Sequence, residues 1–150
     1  YKPGRIGVMT RSGSLTNEVT AMIVEAGFGV STLIGVGGDP VPATRFAEML
    51  PDYQNDSETD AVVIIGELGG TMEDEVAEMI RGREFTKPLV AFLGGRTAPE
   101  GKKMGHAGAI VSGGSGSVAE KTRVLEAAGA AVAKRPRLVG KLLNDVLGGK

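Results

Sequence analysis

The sequence predicts an α/β domain with a mostly parallel β-sheet covered by helices on both faces. Short apolar runs of strand length alternate along the chain with segments whose apolar residues recur at helical spacing. Residues 60–65 are apolar after the first position, which is typical of a strand buried on both faces. Strands that alternate with helices in this way require right-handed crossovers, so neighbouring strands run parallel.

The first half of the chain predicts three strands and two helices. Ser14 is a suitable N-cap for the first helix, and Gly27 is suited to end it. In chain order the elements are a strand over residues 5–10, a helix to about Ala26, a strand over 32–36, a short helix over about 43–50 and a strand over 60–65.

The second half continues the alternation. Its helices are marked by apolar stripes at helical spacing, and its strands by short apolar runs. In chain order we expect a helix over about 72–80, a strand over 88–93, a further strand over 107–111, a helix over 118–128, a short strand over 130–133 and a last helix over 138–146.

Composition excludes several functional classes. A chain of 150 residues is expected to form one domain. Its net charge of −1 and aromatic content of 4% argue against nucleic-acid binding. The lack of cysteine excludes a thiol nucleophile, and a single histidine excludes the common zinc sites. No apolar stretch is long enough to span a bilayer, and Tyr1 begins no signal pattern, so we expect a cytoplasmic protein or a fragment of one.

The single histidine, His106, is the most informative residue. It lies among glycines, which leave room for a large group to reach the ring, and Lys102 and Lys103 precede it. Imidazole has an unperturbed pKa of about 6.5, so a neutral ring nitrogen is available as a nucleophile at cellular pH. This environment favours a histidine that accepts a phosphoryl group, and a structural histidine is the alternative.

Glycine-rich turns follow the predicted strands, and parallel strands place such turns at one edge of the sheet, where ligands bind. Ser12, Gly13 and Ser14 open a helix whose free N–H groups can hold a phosphate, although an ordinary N-cap is the simpler interpretation. Glu67, at the end of a buried strand, can accept the second ring N–H of His106. A solvated turn glutamate is the alternative for this residue.

Two glycine patterns resemble nucleotide-binding motifs, and each departs from its motif at one or more positions. The loop over residues 95–103 has the wrong spacing for a P-loop, and Lys103 stands where a Ser or Thr would bind magnesium. The run from Gly114 to Ala119 matches GxGxxA, but Lys134 stands about twenty residues further on, where a dinucleotide site has an acid. We therefore expect no cofactor to be bound by this domain alone.

Four stretches, in the same order along the chain, together resemble the α subunit of succinyl-CoA synthetase and its relatives. They are RSGSLT at residues 11–16, GVGGDP at 35–40, GELGG at 66–70 and TAPEGKKMGHAGAI at 97–110. The resemblance implies a flavodoxin-like, three-layer CoA-ligase domain over residues 1–150. It also implies that His106 becomes phosphorylated, that Glu67 supports it, and that the helix starting at Ser12 holds the phosphohistidine.

The same resemblance implies further partners. A CoA-binding domain precedes this domain in the family, and a β subunit of the ATP-grasp type binds ATP or GTP with Mg²⁺. The whole enzyme would join a carboxylic acid to CoA, whereas neither nucleic acid nor a membrane is implied. Arg96 occupies a position that is often apolar in the family, so the acid itself (succinate, malate, citrate or acetate) stays open.

Two functional hypotheses follow. In the first, the chain is part of an acid–CoA ligase, and His106 carries a phosphoryl group between substrates. In the second, it is a non-catalytic module of flavodoxin-like fold that binds an anion or nucleotide through the Gly114 loop and the helix start at Ser12.

Overall fold

The structure is a computed structural model that describes residues 1–99, 101, 103–111 and 116–148. Within these residues, five strands alternate with five α-helices. In chain order these elements are β1 (Pro3–Thr10), α1 (Gly13–Glu25), β2 (Val30–Gly35), α2 (Phe46–Asn55), β3 (Ala61–Glu67), α3 (Met72–Arg81), β4 (Leu89–Gly94), α4 (Val118–Ala128), β5 (Ala131–Ala133) and α5 (Val139–Leu147), with a 3₁₀ turn over Pro136–Leu138 before α5.

The strands form one parallel sheet in the order β2-β1-β3-β4-β5. This is the flavodoxin-like order, so the predicted fold class is confirmed. The central strand β3 is buried along its whole length, as its continuous apolar run predicts.

Helices cover both faces of the sheet and make three layers. Alternate side chains of β3 point to opposite faces, so Val62 and Ile64 pack in the core under α2, α3 and α4. Val63 and Ile65 pack on the other face, with α1 and α5. Two separate cores therefore hold the sheet from both sides and fix the positions of its strand ends.

The prediction of a strand over residues 107–111 is wrong. The N–H groups of Ala109 and Ile110 bond to the carbonyls of His106 and Gly108, so the segment closes on itself. A sheet position is also lacking, because β4 pairs with β3 on one side and with β5 on the other. The segment is a loop above the sheet edge.

Two helix starts differ from the prediction. Ser12 caps α1, its hydroxyl accepting the Leu15 N–H, whereas Ser14 lies within the first turn. Helix α2 begins at Phe46 rather than near residue 43, and Glu48 in its first turn accepts the Arg45 N–H. It also runs on to Asn55 with Pro51 in its interior, where the proline has no N–H to donate to the Ala47 carbonyl.

The parallel direction places the ends of β1, β3 and β4 at one edge. Thr10 lies beside Ile65, and Glu67 beside Gly94. The residues that follow these strands form the edge where the sequence analysis places the functional groups. No helix in the described part of the chain is long and apolar enough to cross a membrane.

Candidate functional site

His106 and Glu67 form a hydrogen-bonded pair at this edge. The Nδ1 atom of His106 lies 2.9 Å from one carboxylate oxygen of Glu67 and 3.0 Å from the other. The Glu67 side chain is 9% exposed, whereas that of His106 is 37% exposed. A carboxylate accepts, so Nδ1 is the donor, and in a neutral ring the lone pair lies on Nε2. Within the described residues Nε2 makes no hydrogen bond.

The loop that carries His106 is held by backbone contacts. The Met104 N–H bonds to the Ala109 carbonyl at 3.0 Å, and the Gly108 N–H bonds to the Gly38 carbonyl at 3.1 Å. Gly38 packs directly on the pair, since a Cβ atom there would lie 2.2 Å from Nδ1 of His106 and 2.4 Å from Glu67 Oε1. Only glycine fits this position without moving the ring or the carboxylate.

A cluster of buried charges lies behind Glu67, and the sequence analysis missed it. Its members are Arg11, which follows β1, Glu73 from the first turn of α3, and Lys121 from α4. Each is at most 3% exposed. Lys121 did leave a signal, because it stands on the apolar stripe of its helix, three residues after Val118 and four before Leu125. Glu73 left none, since acidic residues are ordinary in a first turn.

Ion pairs link each charged group of the cluster to the next. Arg11 reaches Glu67 at 3.2 Å and Glu73 at 3.0 Å, and Lys121 bonds to Glu73. Glu73 also accepts the backbone N–H of Glu67 at 3.1 Å. Two cations thus alternate with two carboxylates, which is how a protein interior tolerates charge. Among the described side chains, the Nε atom of Arg11 is buried without a partner.

The start of α1 faces the same cleft as His106. A cleft of about 270 Å³ is lined by Ser12, Ser14, Glu67, His106 and neighbouring residues. Gly13 and Ser14 are exposed, and N–H groups of a first helical turn have no partner within the helix. The structure therefore brings the predicted histidine, carboxylate and helix start into one cleft.

Other predicted features lie at its rim or outside the described residues. Lys103 and Arg96 are exposed. Lys102 lies outside the described residues, and so do Gly114 and Ser115, the first two residues of the GxGxxA pattern. The described part of the chain holds no group of three His, Cys, Asp or Glu side chains suited to a metal ion.

Fold and cleft together define a class: a flavodoxin-like domain that presents a carboxylate-supported histidine at the carboxyl edge of its parallel sheet. The sequence profile of the CoA-ligase family matches residues 9–131. The chain belongs to the CoA-ligase family.

Relatives and solved structures agree with this assignment. The chain is 77% identical to an ADP-forming sulfoacetate–CoA ligase subunit of an Acholeplasma species, over 97% of this chain and 49% of the relative. It is 50% identical to the succinate–CoA ligase [ADP-forming] α subunit of Staphylococcus aureus, over 97% of this chain and 48% of the relative. ATP citrate lyase of Methanosaeta concilii, solved with (3S)-citryl-CoA, superposes with a TM-score of 0.90 at 27% identity, over 99% of this chain and 24% of that one. The chain spans about half the length of the curated relatives it matches.

Proposed function

We propose that this chain is the phosphohistidine-carrying domain of an ADP-forming acid–CoA ligase. The observation that carries the proposal is the bond between Nδ1 of His106 and Glu67, which leaves Nε2 available in a cleft shared with a helix start. Relatives of this chain are named as subunits of ADP-forming ligases, which supports ATP as the phosphoryl donor.

The first step is phosphorylation of His106. Nε2 attacks the γ-phosphorus of ATP, an N–P bond forms, the bond between the γ-phosphorus and the bridging oxygen breaks, and ADP leaves. The proton on Nδ1 stays in place, so the ring becomes positively charged. The carboxylate of Glu67 stabilises that charge and holds the ring in the attacking tautomer.

Two further steps return the histidine to its starting state. A carboxylate oxygen of the acid attacks the phosphorus, the N–P bond breaks, and an acyl phosphate forms. The sulfur of CoA then attacks the acyl carbon, and phosphate leaves with the proton of the thiol. The contribution of this domain is to position the carrier and stabilise charge rather than to supply further reactive groups.

The start of α1 is our candidate for the phosphate site, through Ser12, Gly13 and Ser14. One helix N-terminus stabilises an anion by about 0.3–1 kcal/mol at an exposed site. A phosphoryl group with two negative charges gains from a second N-terminus. We therefore propose that a partner subunit of the ATP-grasp type docks over this cleft and supplies it together with the nucleotide and Mg²⁺.

We propose sulfoacetate as the acid. Two relatives that are 72% and 77% identical bear that name, against 50% identity for a succinate ligase subunit. Arg96 supports this assignment, because it follows the cleft-lining Gly95 and has no ion pair within the described residues. A sulfonate keeps its charge at all cellular pH values, and a planar guanidinium matches its oxygens. Following the resemblance to the family, we assign CoA binding to the domain that precedes this one in its relatives, and we place the ligase in the cytoplasm.

Labelling tests the proposal. The assembled ligase is incubated with ATP carrying a labelled γ-phosphoryl group, and the His106 peptide is analysed by mass spectrometry. We expect an acid-labile gain of one phosphoryl group at His106, which sulfoacetate discharges. Nucleotide binding to this chain without modification would favour the non-catalytic module, and discharge by succinate alone would overturn the choice of acid.

A further inference from the structure

We propose that Arg11, Glu73 and Lys121 are positioning residues that hold Glu67 on His106 through an unbroken series of buried ion pairs. The inference rests on the proposed function only for its effect on catalysis. The effect of the three residues on the orientation and tautomer of the His106 ring does not depend on that function.

The series begins at Lys121 of α4, which follows the histidine by 15 residues in the chain. The Nζ atom of Lys121 is fully buried and bonds to Glu73 and to the Gly69 carbonyl, the latter at 2.6 Å. Lys121 thereby fixes both the Glu73 carboxylate and the turn that follows β3. Because its Nζ atom makes both of these bonds, the flexible Lys121 side chain links α4 to the edge of the sheet.

Glu73 passes the constraint to two groups. Its carboxylate accepts the Glu67 N–H at 3.1 Å, which holds the backbone of the residue that supports His106. Both oxygens of this carboxylate also accept from Arg11 Nη1, at 3.0 Å and 3.3 Å, which holds that end of the guanidinium on Glu73.

Arg11 completes the series. While Nη1 bonds to Glu73 and to the Gly69 carbonyl, Nη2 lies 3.2 Å from Glu67 Oε1. The Glu67 carboxylate is thus fixed from one side by Arg11 and contacts Nδ1 of His106 on the other. Without the guanidinium, the backbone N–H of Glu67 would keep its bond to Glu73, but the Glu67 carboxylate would lose the contact that sets the plane of its oxygens.

The turn that Lys121 and Arg11 hold also supports the histidine loop. Gly69 has a φ of +80°, and a Cβ atom there would lie 2.1 Å from the Gly108 carbonyl oxygen. The loop of His106 therefore rests on the backbone that the two cations fix. The cluster therefore fixes the position of the Glu67 carboxylate directly, and that of the His106 ring through the loop that carries it.

The tautomer of His106 provides a readout that a purely structural role would not move. The sequence has one histidine, so ¹⁵N-histidine labelling of the 150-residue chain gives one pair of ring nitrogens. Above about pH 8, where an ordinary imidazole is neutral, we expect Nδ1 protonated and Nε2 unprotonated. The variants are Lys121→Met, Glu73→Gln and the two combined, which restores the charge balance. Lys141→Met, at an exposed lysine paired with Asp145, is the matched control.

We expect every folded variant of the cluster to show a larger population with the proton on Nε2, and the control to match the native chain. In the assembled ligase the same variants should phosphorylate His106 about 10–100-fold more slowly, as removal of supporting groups does at metal-bound histidines. A folded combined variant with the native tautomer, or failure of all three to fold, would overturn the proposal and leave the cluster a structural role. If the native ligase forms no phosphohistidine while the tautomer shifts, the proposed function fails and the positioning role stands.

Discussion

The Nδ1 atom of His106 lies 2.9 Å from Oε2 of Glu67, although 39 residues separate the two in the chain. Glu67 is the last residue of a strand that is buried along its length, so its backbone is rigid. His106 is carried by a loop outside the sheet. The bond between them orients the ring of a loop residue from a fixed strand end, and this orientation is what the proposed chemistry needs.

Replacing His106 by Asn should abolish phosphoryl transfer and leave the fold intact. An amide fills similar space and can still donate to Glu67, but it has no nucleophilic ring nitrogen. Because the side chain is partly exposed, we expect the free energy of unfolding to change by less than about 1 kcal/mol. Phosphate labelling and denaturant unfolding measure the two effects. Labelling of the His106→Asn ligase at the native rate would remove His106 as the carrier.

Glu67→Gln should slow the phosphorylation of His106 by about 10–100-fold, by analogy with groups that support metal-bound histidines. A neutral amide neither fixes the tautomer nor stabilises the charged ring as a carboxylate does. Arg11 keeps its bond to Glu73, so the fold should tolerate the change. Rapid-quench measurement of single-turnover labelling gives the rate, and an unchanged rate would make Glu67 a structural turn residue.

Gly38→Ala should disturb the site more than the fold. The new Cβ would lie 2.2 Å from Nδ1 of His106, so the ring or the Gly38 backbone must move. We expect phosphorylation to fall more than tenfold, with a loss of about 1–3 kcal/mol in stability, as for other overpacking changes. Gly35→Ala is the matched control, because the nearest atom to its Cβ is Thr10 Cγ2 at 4.0 Å. Equal labelling rates in the two variants would show that Gly38 does not constrain the pair.

The sequence predicted the part of this arrangement that depends on local patterns. Continuous apolar runs gave the strands, and parallel pairing then placed Glu67 and the helix start at one edge. Residues 107–111 were wrongly predicted to form a strand, because an apolar run is equally compatible with a loop that packs on a sheet. Arg11 and Glu73 could not be found, since their burial depends on which helices meet at the edge. Lys121 was visible in principle as a charge on an apolar stripe.

The ion pair between Arg45 and Glu75 should give stability that depends on pH. The side-chain hydrogen bond from Arg45 lowers the pKa of Glu75 below its ordinary value, although burial opposes this. The stabilisation is therefore present above about pH 4.5, and it is lost as the pH falls through the lowered pKa. Both side chains are 31% exposed, so we expect Glu75→Gln to cost no more than about 1 kcal/mol near neutral pH. Urea unfolding at several pH values tests this, and a cost that persists in acid would point to a cause other than the ion pair.

The start of α1 should become protected when the phosphohistidine forms. The N–H groups of Gly13 and Ser14 lie in the first turn, where the helix supplies no acceptor, and both residues are exposed. If the phosphoryl group on Nε2 binds them, their hydrogen exchange should slow in the phosphorylated ligase relative to the unphosphorylated one. Peptides covering residues 10–18 measure this, and peptides covering residues 51–58, at the distant end of α2, serve as the control. Docking of the partner subunit alone should protect residues 10–18 and 94–111 to a smaller extent. Exchange at residues 10–18 that does not respond to phosphorylation would place the phosphate away from the helix start and remove Ser12, Gly13 and Ser14 from the site.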